Sequence, residues 1–323
     1  AVELKPGVEE VLEELTRRGI VNSIASRNDR EPAIAALERL GVEGYFVAPR
    51  IDHSPKPDNL REIAQVLNLS LDSLAFIDND PFERAAVTFT YPDVTVIEAE
   101  EYPRLPTMPG FDAGSGTAES RARAKSYHEE ARRREAEDAF AGTRLEFLKS
   151  CEIELQVRLA ERWDIARIVE LAERTNQFNS SGLRYSAEDV DSILRDPGST
   201  AIVANLSDRF GDAGLIGAMI MRRADKHCLV ESLMVSCRVD GRGVPSALLV
   251  LALRLTRSER VSSLFARYNA NERNRRLAFL YQMMGFLPTK ADGSLWSFDV
   301  VGEPLPQVPE WLTLVGAMPE LKA

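Results

Sequence analysis

The stretch SLMVSCRVDGRGVPSALLV, residues 232–250, decides the fold of the second half of the chain. It begins with an apolar run typical of a buried strand, passes through a glycine-containing loop, and enters an apolar helix. A loop of this kind presents backbone N–H groups at a helix N-terminus, where an anion such as a pyrophosphate can bind. The sequence therefore predicts a strand, an anion-binding loop and a helix in this order.

The end of this loop reads Gly243-Val244-Pro245, and the proline is unfavourable for phosphate binding. Proline suits the first position of a helix, but it has no backbone N–H to offer to a phosphate oxygen. Arg238 and Arg242 add positive charge to the loop. We therefore expect Arg238, Arg242 and Gly243 to face a pantetheine or pyrophosphate group, although the proline makes coenzyme A itself a poor fit.

Cys237 ends the predicted strand, directly before the loop. Buried cysteines commonly act as small apolar side chains. A position at a strand end, near a helix N-terminus and beside two arginines, should instead favour the thiolate over the thiol. A thiolate can accept an acyl group and release it to a second thiol. Core packing and acyl-bearing nucleophile both stay open for Cys237, whereas Cys151 and Cys228 lack such a setting and are expected to be structural.

The elements around this stretch indicate a mixed α/β domain over 150–302. Strands are predicted at 153–160, 200–207, 215–223 and 263–269, and helices at 164–174, 187–195 and 274–284. The last helix carries Asn274 and Tyr281, which we expect near the pantetheine loop. The polar segment 174–186, RTNQFNSSGLRYS, contains Asn176, Gln177 and Asn179. These amides either hydrogen-bond a polyhydroxy acyl group or cap and turn the backbone.

The first half of the chain alternates helices and strands, which is typical of a parallel α/β sheet. Helices are predicted at 6–19, 31–40 and 59–67, and strands at 20–26, 45–48, 74–78 and 94–99. We expect one domain over 1–112, followed by a linker and a charged, solvated helix over 113–149. The Pro-rich residues 303–323 are expected to form a loosely packed tail.

Polar residues follow the predicted parallel strands of the first domain, where open α/β sheets build their sites. Ser26 ends one strand, Lys56 lies in the loop HSPKPDN, and Asp78 ends another strand. A hydroxyl and an ammonium group bind phosphate oxygens, and a carboxylate binds a hard cation such as Mg²⁺. We therefore expect Ser26, Arg27, Asn28 and Lys56 to bind phosphate and Asp78 to bind the metal.

Length, charge and cysteine content limit the class of protein. The chain has 323 residues, enough for two domains, and a formal net charge of −10, which argues against nucleic acid as a partner. Three cysteines without a CxxC pair argue against a disulfide framework and predict a cytoplasmic setting. The sequence contains no apolar run long enough for a membrane span and no signal-peptide pattern at its start.

Several phrases together resemble the FkbH-like family, in which a haloacid dehalogenase-type (HAD) phosphatase domain is fused to an acyltransferase-like GNAT domain. The resemblance extends from residue 3 to about residue 290, and its most specific parts are RTNQFNSSG and SCRV. The matching stretches are GIVNSIASRND (19–29), SPKPDNLREIAQVLNLSLDSLAFIDNDPFER (54–84), AEDAFAG with EFL (136–148), RTNQFNSSGLRYS (174–186) and LMVSCRVDGRGV (233–244).

The resemblance implies an activity, a cofactor and partners. A glyceryl unit is taken from 1,3-bisphosphoglycerate, dephosphorylated, and loaded onto the phosphopantetheine of an acyl carrier protein in polyketide biosynthesis. Cys237 would carry the glyceryl thioester, and the HAD site would hold phosphate and Mg²⁺. Phosphatase activity would further require a nucleophile motif of the DxDxT type before the helix at 6–19, which this sequence does not contain.

The nucleophile motif belongs to a strand in the middle of the family's sheet, so we expect upstream sequence that supplies it. Without that strand, 20–26 and 74–78 should not pair with each other.

Two other functions stay open beside glyceryl transfer. One is a coenzyme A-dependent N-acetyltransferase, and the other is a non-catalytic docking scaffold with a decayed HAD half. Arginines 267, 273, 275 and 276 either dock an acidic carrier protein or form a solvated helix start.

Overall fold

The computed structural model describes residues 3–67, 69–111, 123–175, 177–224 and 226–316. The chain divides into two compact units, Ala1–Ala139 and Phe140–Ala323. Helices and strands occur in both units, so the expected α/β fold class is confirmed. No helix within the described ranges is long and apolar enough to cross a membrane.

The first unit alternates short strands and helices. Its strands are β1 (Ala25–Arg27), β2 (Arg50–Asp52), β3 (Ala75–Asp78) and β4 (Thr95–Glu98). Its helices are α1 (Val8–Arg17), α2 (Arg30–Arg39), α3 (Lys56–Leu67), α4 (Pro81–Thr90) and α5 (Arg123–Asp138), with 3-10 turns at Glu43–Tyr45, Leu71–Ser73 and Ala99–Thr107.

The strand predicted at 45–48 is wrong. Glu43–Tyr45 forms a 3-10 turn, and the extended segment β2 begins only at Arg50. Ala48 has a φ of 48°, a left-handed conformation that interrupts an extended strand. Val47 is buried, with 0% exposure. The apolar pattern of this segment thus reflects burial in a turn and not a strand.

The strands of the first unit form two separate parallel pairs. β1 pairs with β2, where Ser26 lies opposite Ile51, and β3 pairs with β4, where Asp78 lies opposite Glu98. In the described part of the chain β1 and β3 do not pair with each other, which confirms the expectation for these two strands. An edge of β3 is correspondingly open, and its Ile77 is 37% exposed.

The charged helix α5 packs within the first unit, so the expectation of a solvated connecting helix is wrong. Tyr127 is 5% exposed and packs with Val47, Ile63 and Leu67. Arg134 donates a hydrogen bond to the backbone oxygen of Gln65 at 2.9 Å. Tyr127 and Ala131, on one face of this charged helix, pack against the apolar core of the first unit. Residues 113–122 of the predicted linker lie outside the described residues.

The second unit is built on a mixed sheet, eight-stranded in its described part, with the order β10-β11-β9-β8-β7-β6-β5-β12. These strands are β5 (Ile153–Leu159), β6 (Ser199–Asp208), β7 (Gly211–Ala224), β8 (His227–Val235), β9 (Ser263–Arg267), β10 (Leu287–Pro288), β11 (Leu295–Asp299) and β12 (Leu312–Val315). The helices are α6 (Arg144–Ser150), α7 (Ile165–Arg174), α8 (Ala187–Arg195), α9 (Val244–Ser258) and α10 (Arg275–Met283), with 3-10 turns at Arg162–Asp164 and Cys237–Val239.

The end of β8 has a neighbour on each side. β8 pairs with β9 only from His227 to Val230. Further along, the segment 178–180 takes the place of β9: Ser180 N donates to Leu233 O, and Val235 N donates to Phe178 O, both at 2.9 Å. β7 pairs with the opposite edge of β8 up to Val235. The polar segment between α7 and α8 is therefore part of the sheet.

Residues 309–316 are ordered against the sheet, so the expectation of a loosely packed tail is wrong for them. β12 pairs in parallel with β5, with Leu312 opposite Ile153 and Val315 opposite Gln156. Leu312 is 6% exposed. The short apolar run LTLV adds a strand to an open sheet edge, which satisfies backbone groups of both segments.

Candidate functional site

In the first unit, the ammonium group of Lys56 joins the ends of β1 and β3. Lys56 begins α3, and its Nζ donates to the backbone oxygen of Ala25 at 2.5 Å. The same Nζ lies 3.2 Å from Asp78 Oδ2, and both side chains are about nine-tenths buried, at 11% and 12% exposure. The structure therefore brings Lys56 and Asp78 together at the carboxyl ends of the strands.

The other residues predicted to bind phosphate lie on or directly after β1. Ser26 is half-buried within the strand. Arg27 is 52% exposed and forms an ion pair with Glu83 at 3.2 Å. The Oδ1 of Asn28 accepts a hydrogen bond from Asp29 N at 2.9 Å. This edge thus holds a hydroxyl, an amide and two cations, each cation paired with a carboxylate.

The carboxylates of this edge are paired with protein groups in this structure, and the binding of magnesium by Asp78 stays a prediction. Asp78 Oδ2 is paired with Lys56, and its Oδ1 accepts from Asp80 N at 2.9 Å. Asp80 accepts from Phe82 N and so caps α4. The described residues contain no group of three metal-binding side chains. No chemical step is therefore assigned to a metal here.

In the second unit, Cys237 differs from the other two cysteines in its exposure. Cys151 and Cys228 are both 0% exposed, and burial raises the pKa of the Cys228 thiol. Cys237 is partly exposed and opens the 3-10 turn that follows β8. This turn leads into the glycine loop, so the only partly exposed thiol of the three lies where the strand meets the loop.

The loop has two glycines in the left-handed region directly before α9. Gly241 has a φ of 77° and Gly243 a φ of 87°, conformations that favour glycine. Val244 is the first residue of α9, and Pro245 therefore takes the second helical position rather than the first. At either position a residue other than proline would offer a backbone N–H group without a helical partner, so Pro245 still removes one donor from the helix N-terminus.

Residues of the tail cover this loop. A Cβ atom added to Gly243 would lie 3.0 Å from Pro309 Cγ, so the proline ring already contacts the glycine. Trp311 Nε1 donates to Arg242 O at 3.1 Å. Glu310 pairs with Lys149 at 2.9 Å, which ties the same segment to α6. The sequence interpretation missed this cover, and the run LTLV after the tryptophan was the signal for an ordered segment.

The two arginines of the loop have different surroundings. Arg242 NH1 pairs with Asp208 Oδ2 at 3.1 Å, and both side chains are buried, at 8% and 3% exposure. This buried ion pair connects the loop to the β6–β7 turn, which is a structural role and not the phosphate contact that was predicted. Arg238 Nε lies 3.4 Å from Ser236 Oγ and is partly buried. Arg238 thus remains beside the strand end that carries Cys237.

The amide side chains of the segment between α7 and α8 differ in whether they have hydrogen-bond partners within the protein. Asn179 is 2% exposed, and its Oδ1 accepts from Gly182 N at 2.9 Å, as expected for backbone capping. Gln177 Oε1 is buried and has no hydrogen-bond donor among the described residues. Asn176 lies outside the described residues. Among the described amides of this segment, Gln177 is therefore the one whose side-chain oxygen is buried without a hydrogen-bond donor.

Asn274 and Tyr281 were predicted near the pantetheine loop, but the structure places both in the core. Asn274 is 0% exposed, and its Nδ2 donates to Asn269 O at 2.8 Å and to Asn179 O at 3.2 Å. Tyr281 is also 0% exposed, packs against Phe286 and other aromatic rings, and burial raises its pKa. Both residues hold the segment 178–180 and α10 in place.

Residues 1–84 match the family model of haloacid dehalogenase-like hydrolases. This range contains Lys56 and Asp78, so the match covers the strand-end cluster of the first unit. No curated protein matches the sequence.

Among solved structures, the chain is similar to several acetyltransferases. One is the ribosomal-protein-S18-alanine N-acetyltransferase from Escherichia coli, at 14% identity over 47% of this chain and 99% of that chain, with a TM-score of 0.37. Another is the GNAT domain of PAT from S. lividans, at 20% identity over 44% and 89%, also with a TM-score of 0.37. An aminoglycoside acetyltransferase in complex with coenzyme A matches at 19% identity over 45% and 94%, with a TM-score of 0.36. Similarity at this level does not transfer an activity or a substrate.

Proposed function

We propose that the chain is an acyltransferase of the FkbH-like type. In this proposal Cys237 accepts a glyceryl unit from 1,3-bisphosphoglycerate and passes it to the phosphopantetheine thiol of an acyl carrier protein in polyketide biosynthesis. The observation that carries the proposal is the setting of Cys237, the partly exposed cysteine, at the junction of β8 and the glycine loop. A nucleophile needs this exposure, which Cys151 and Cys228 lack.

The cover over the glycine loop supports a donor other than coenzyme A. Pro309 and Trp311 contact Gly243 and Arg242, where the pyrophosphate of coenzyme A would need open backbone N–H groups. An acyl phosphate or a carrier-bound pantetheine carries no nucleotide and does not need that loop. The same cover leaves Cys237 partly exposed. We therefore favour a thioester chemistry that runs without coenzyme A.

The proposed reaction has two acyl transfers. First, the Cys237 thiolate attacks the carbonyl carbon of the acyl phosphate, a C–S bond forms, and phosphate leaves with the electrons of the broken C–O bond. Second, the thiolate of the carrier attacks the same carbon and Cys237 leaves as a thiolate. Since one thioester replaces another, the second step needs little driving force. These two steps transfer a phosphoglyceryl unit. Its phosphate ester is lost in a separate reaction, in which water replaces the glyceryl oxygen on phosphorus and inorganic phosphate is released, and we assign phosphate binding in that reaction to Ser26 and Lys56 of the first unit.

The test is mass analysis of the full chain after incubation with 1,3-bisphosphoglycerate. We expect a glyceryl or phosphoglyceryl adduct on the tryptic peptide that contains Cys237, and transfer of this unit to an added carrier protein. Cys237→Ala should abolish both the adduct and carrier loading, whereas the matched control Cys228→Ala should keep them. Carrier loading by Cys237→Ala at the wild-type rate would rule out the covalent mechanism.

A coenzyme A-dependent N-acetyltransferase is the second candidate, because two left-handed glycines precede the N-terminus of α9. It requires turnover of acetyl-coenzyme A that is insensitive to Cys237→Ala. A docking scaffold would bind the carrier protein without an adduct and without such turnover. The same set of incubations therefore separates the three functions.

A further inference from the structure

A cavity of about 620 Å³ lies on the second unit, separate from Cys237 and the glycine loop. Its wall is formed by residues of β8, β9 and β11 together with the segment after α7. Leu229 and Phe265 supply an apolar surface. The rings of His227 and Phe265 pack edge to face, with their centroids 5.1 Å apart. None of the described residues that line this cavity belongs to the loop 237–243.

Two cations face the same cavity. Arg267 ends β9 and pairs in register with Leu295, and Lys290 follows β10. Thr289 N donates to Leu295 O at 2.8 Å, so the backbone brings Lys290 to the strand beside Arg267. Both residues are exposed, and neither forms an ion pair among the described residues.

Besides the imidazole of His227, the cavity is lined by hydroxyl and amide groups. Ser181, Asn269 and Ser294 line it, and Asn269 is held by a hydrogen bond from its N to Ser180 O at 2.7 Å. The acidic residue near Lys290 is Asp292, whose Oδ1 accepts from Ser294 N at 2.9 Å and which does not line the cavity. Two positive charges thus face a space with an apolar wall and hydrogen-bonding hydroxyl and amide groups.

We propose that this cavity binds a small organic anion. The phosphate or carboxylate group of the ligand contacts Arg267 and Lys290, and its apolar part packs on Phe265 and Leu229. A guanidinium and an ammonium group that form no ion pair among the described residues are stabilised by such an anion, and charge-assisted hydrogen bonds are stronger than neutral ones. Residues 237–243 do not line this cavity, so a test of anion binding here does not depend on the proposed acyl transfer at Cys237.

The test uses three probes of similar size and different charge: phenyl phosphate, benzoate and benzyl alcohol. Calorimetric titration of the full chain should show tighter binding of at least one anion than of the alcohol, and the tighter anion identifies the ligand class. Arg267→Gln and Lys290→Gln should each weaken that anion about tenfold, the effect of one charge-assisted contact. Raising the salt concentration should weaken it further.

A matched variant localises the effect. Arg254→Gln removes an exposed cation on α9 that does not line the cavity. It should bind the anion as the wild type does. Anions that bind no better than benzyl alcohol, or equal losses in Arg254→Gln and Arg267→Gln, would overturn the proposal. Melting curves check that each variant is folded.

Discussion

At the scale of single residues, the polar side chains of the second unit fall into two groups. Some have hydrogen-bond partners within the protein, and others have none among the described residues. The side chains of Asn179 and Asn274 form hydrogen bonds with backbone groups of the same unit. Gln177 keeps a buried Oε1 without a donor in the described part of the chain. A buried acceptor without a partner costs roughly 1–3 kcal/mol. Such a cost is expected where a ligand later supplies the donor.

Gln177→Met is the corresponding prediction. The substitution keeps the length of the side chain and removes the acceptor, so the free energy of unfolding should stay equal or rise. If a hydroxyl of the glyceryl unit donates to Gln177 Oε1, kcat/KM for carrier loading should fall about tenfold, the effect of one lost hydrogen bond of roughly 1.4 kcal/mol. Urea unfolding and single-turnover loading measure the two quantities. Loss of stability with unchanged kcat/KM would assign Gln177 to the fold alone.

At the scale of elements, the tail packs against the glycine loop. β12 is held by β5, and this fixes the segment that carries Pro309 and Trp311 over Gly243. The helix N-terminus that binds anions in other proteins is here partly filled by the chain itself. Pro245 removes one more donor from the same place.

The double substitution Pro309→Gly and Trp311→Ala tests this cover. It removes the contacts on Gly243 and Arg242 and leaves the strand β12 intact. We expect wild-type protein to bind coenzyme A weakly and the variant to bind it about tenfold or more tightly, whereas pantetheine, which lacks the nucleotide, should bind both equally. Trp163→Ala, at a tryptophan that is 70% exposed, is the control. Tight coenzyme A binding by the wild type would contradict the role of the cover.

At the scale of the whole molecule, the charge balance constrains the partner. A chain with net charge −10 repels an acidic carrier protein unless a local surface is positive. Arg273 and Arg275 are exposed at the start of α10, and Phe279 and Met283 on the same helix are 64% and 69% exposed. Arg275, Phe279 and Met283 follow a spacing of four residues and so share one face. We propose this face, basic and apolar, as the carrier-docking surface.

Charge reversal of this face gives the last prediction. Arg273→Glu with Arg275→Glu should raise the KM for the carrier protein roughly tenfold at low salt and reduce the salt dependence of loading, because steering charges are lost. Adduct formation on Cys237 without carrier should be unchanged. Arg254→Glu, an exposed arginine on α9, is the matched control. Identical carrier kinetics in both variants would exclude the surface.

Local patterns were sufficient to predict most elements of both units. The apolar spacing within 187–195 gave a helix that the structure places at Ala187–Arg195, and the alternation in 153–160 predicted β5. The glycine loop and the position of Cys237 at a strand end also follow from residues close in sequence. Local steric and hydrogen-bonding preferences act over a few residues, so a sequence reveals them without any knowledge of the fold.

Only the tertiary structure decided what lies beside these elements. Pro309 is 66 positions from Gly243, and Asp208 lies in a different turn from Arg242, yet each pair is in contact. The hydrogen bond from Ser180 to Leu233 likewise placed the neighbouring Asn179, an amide that suggested a ligand site, against β8 as part of the sheet. Such contacts depend on which distant surfaces close the core and satisfy buried polar groups. A local pattern does not contain that information, because the partner is set by the arrangement of the complete sheet.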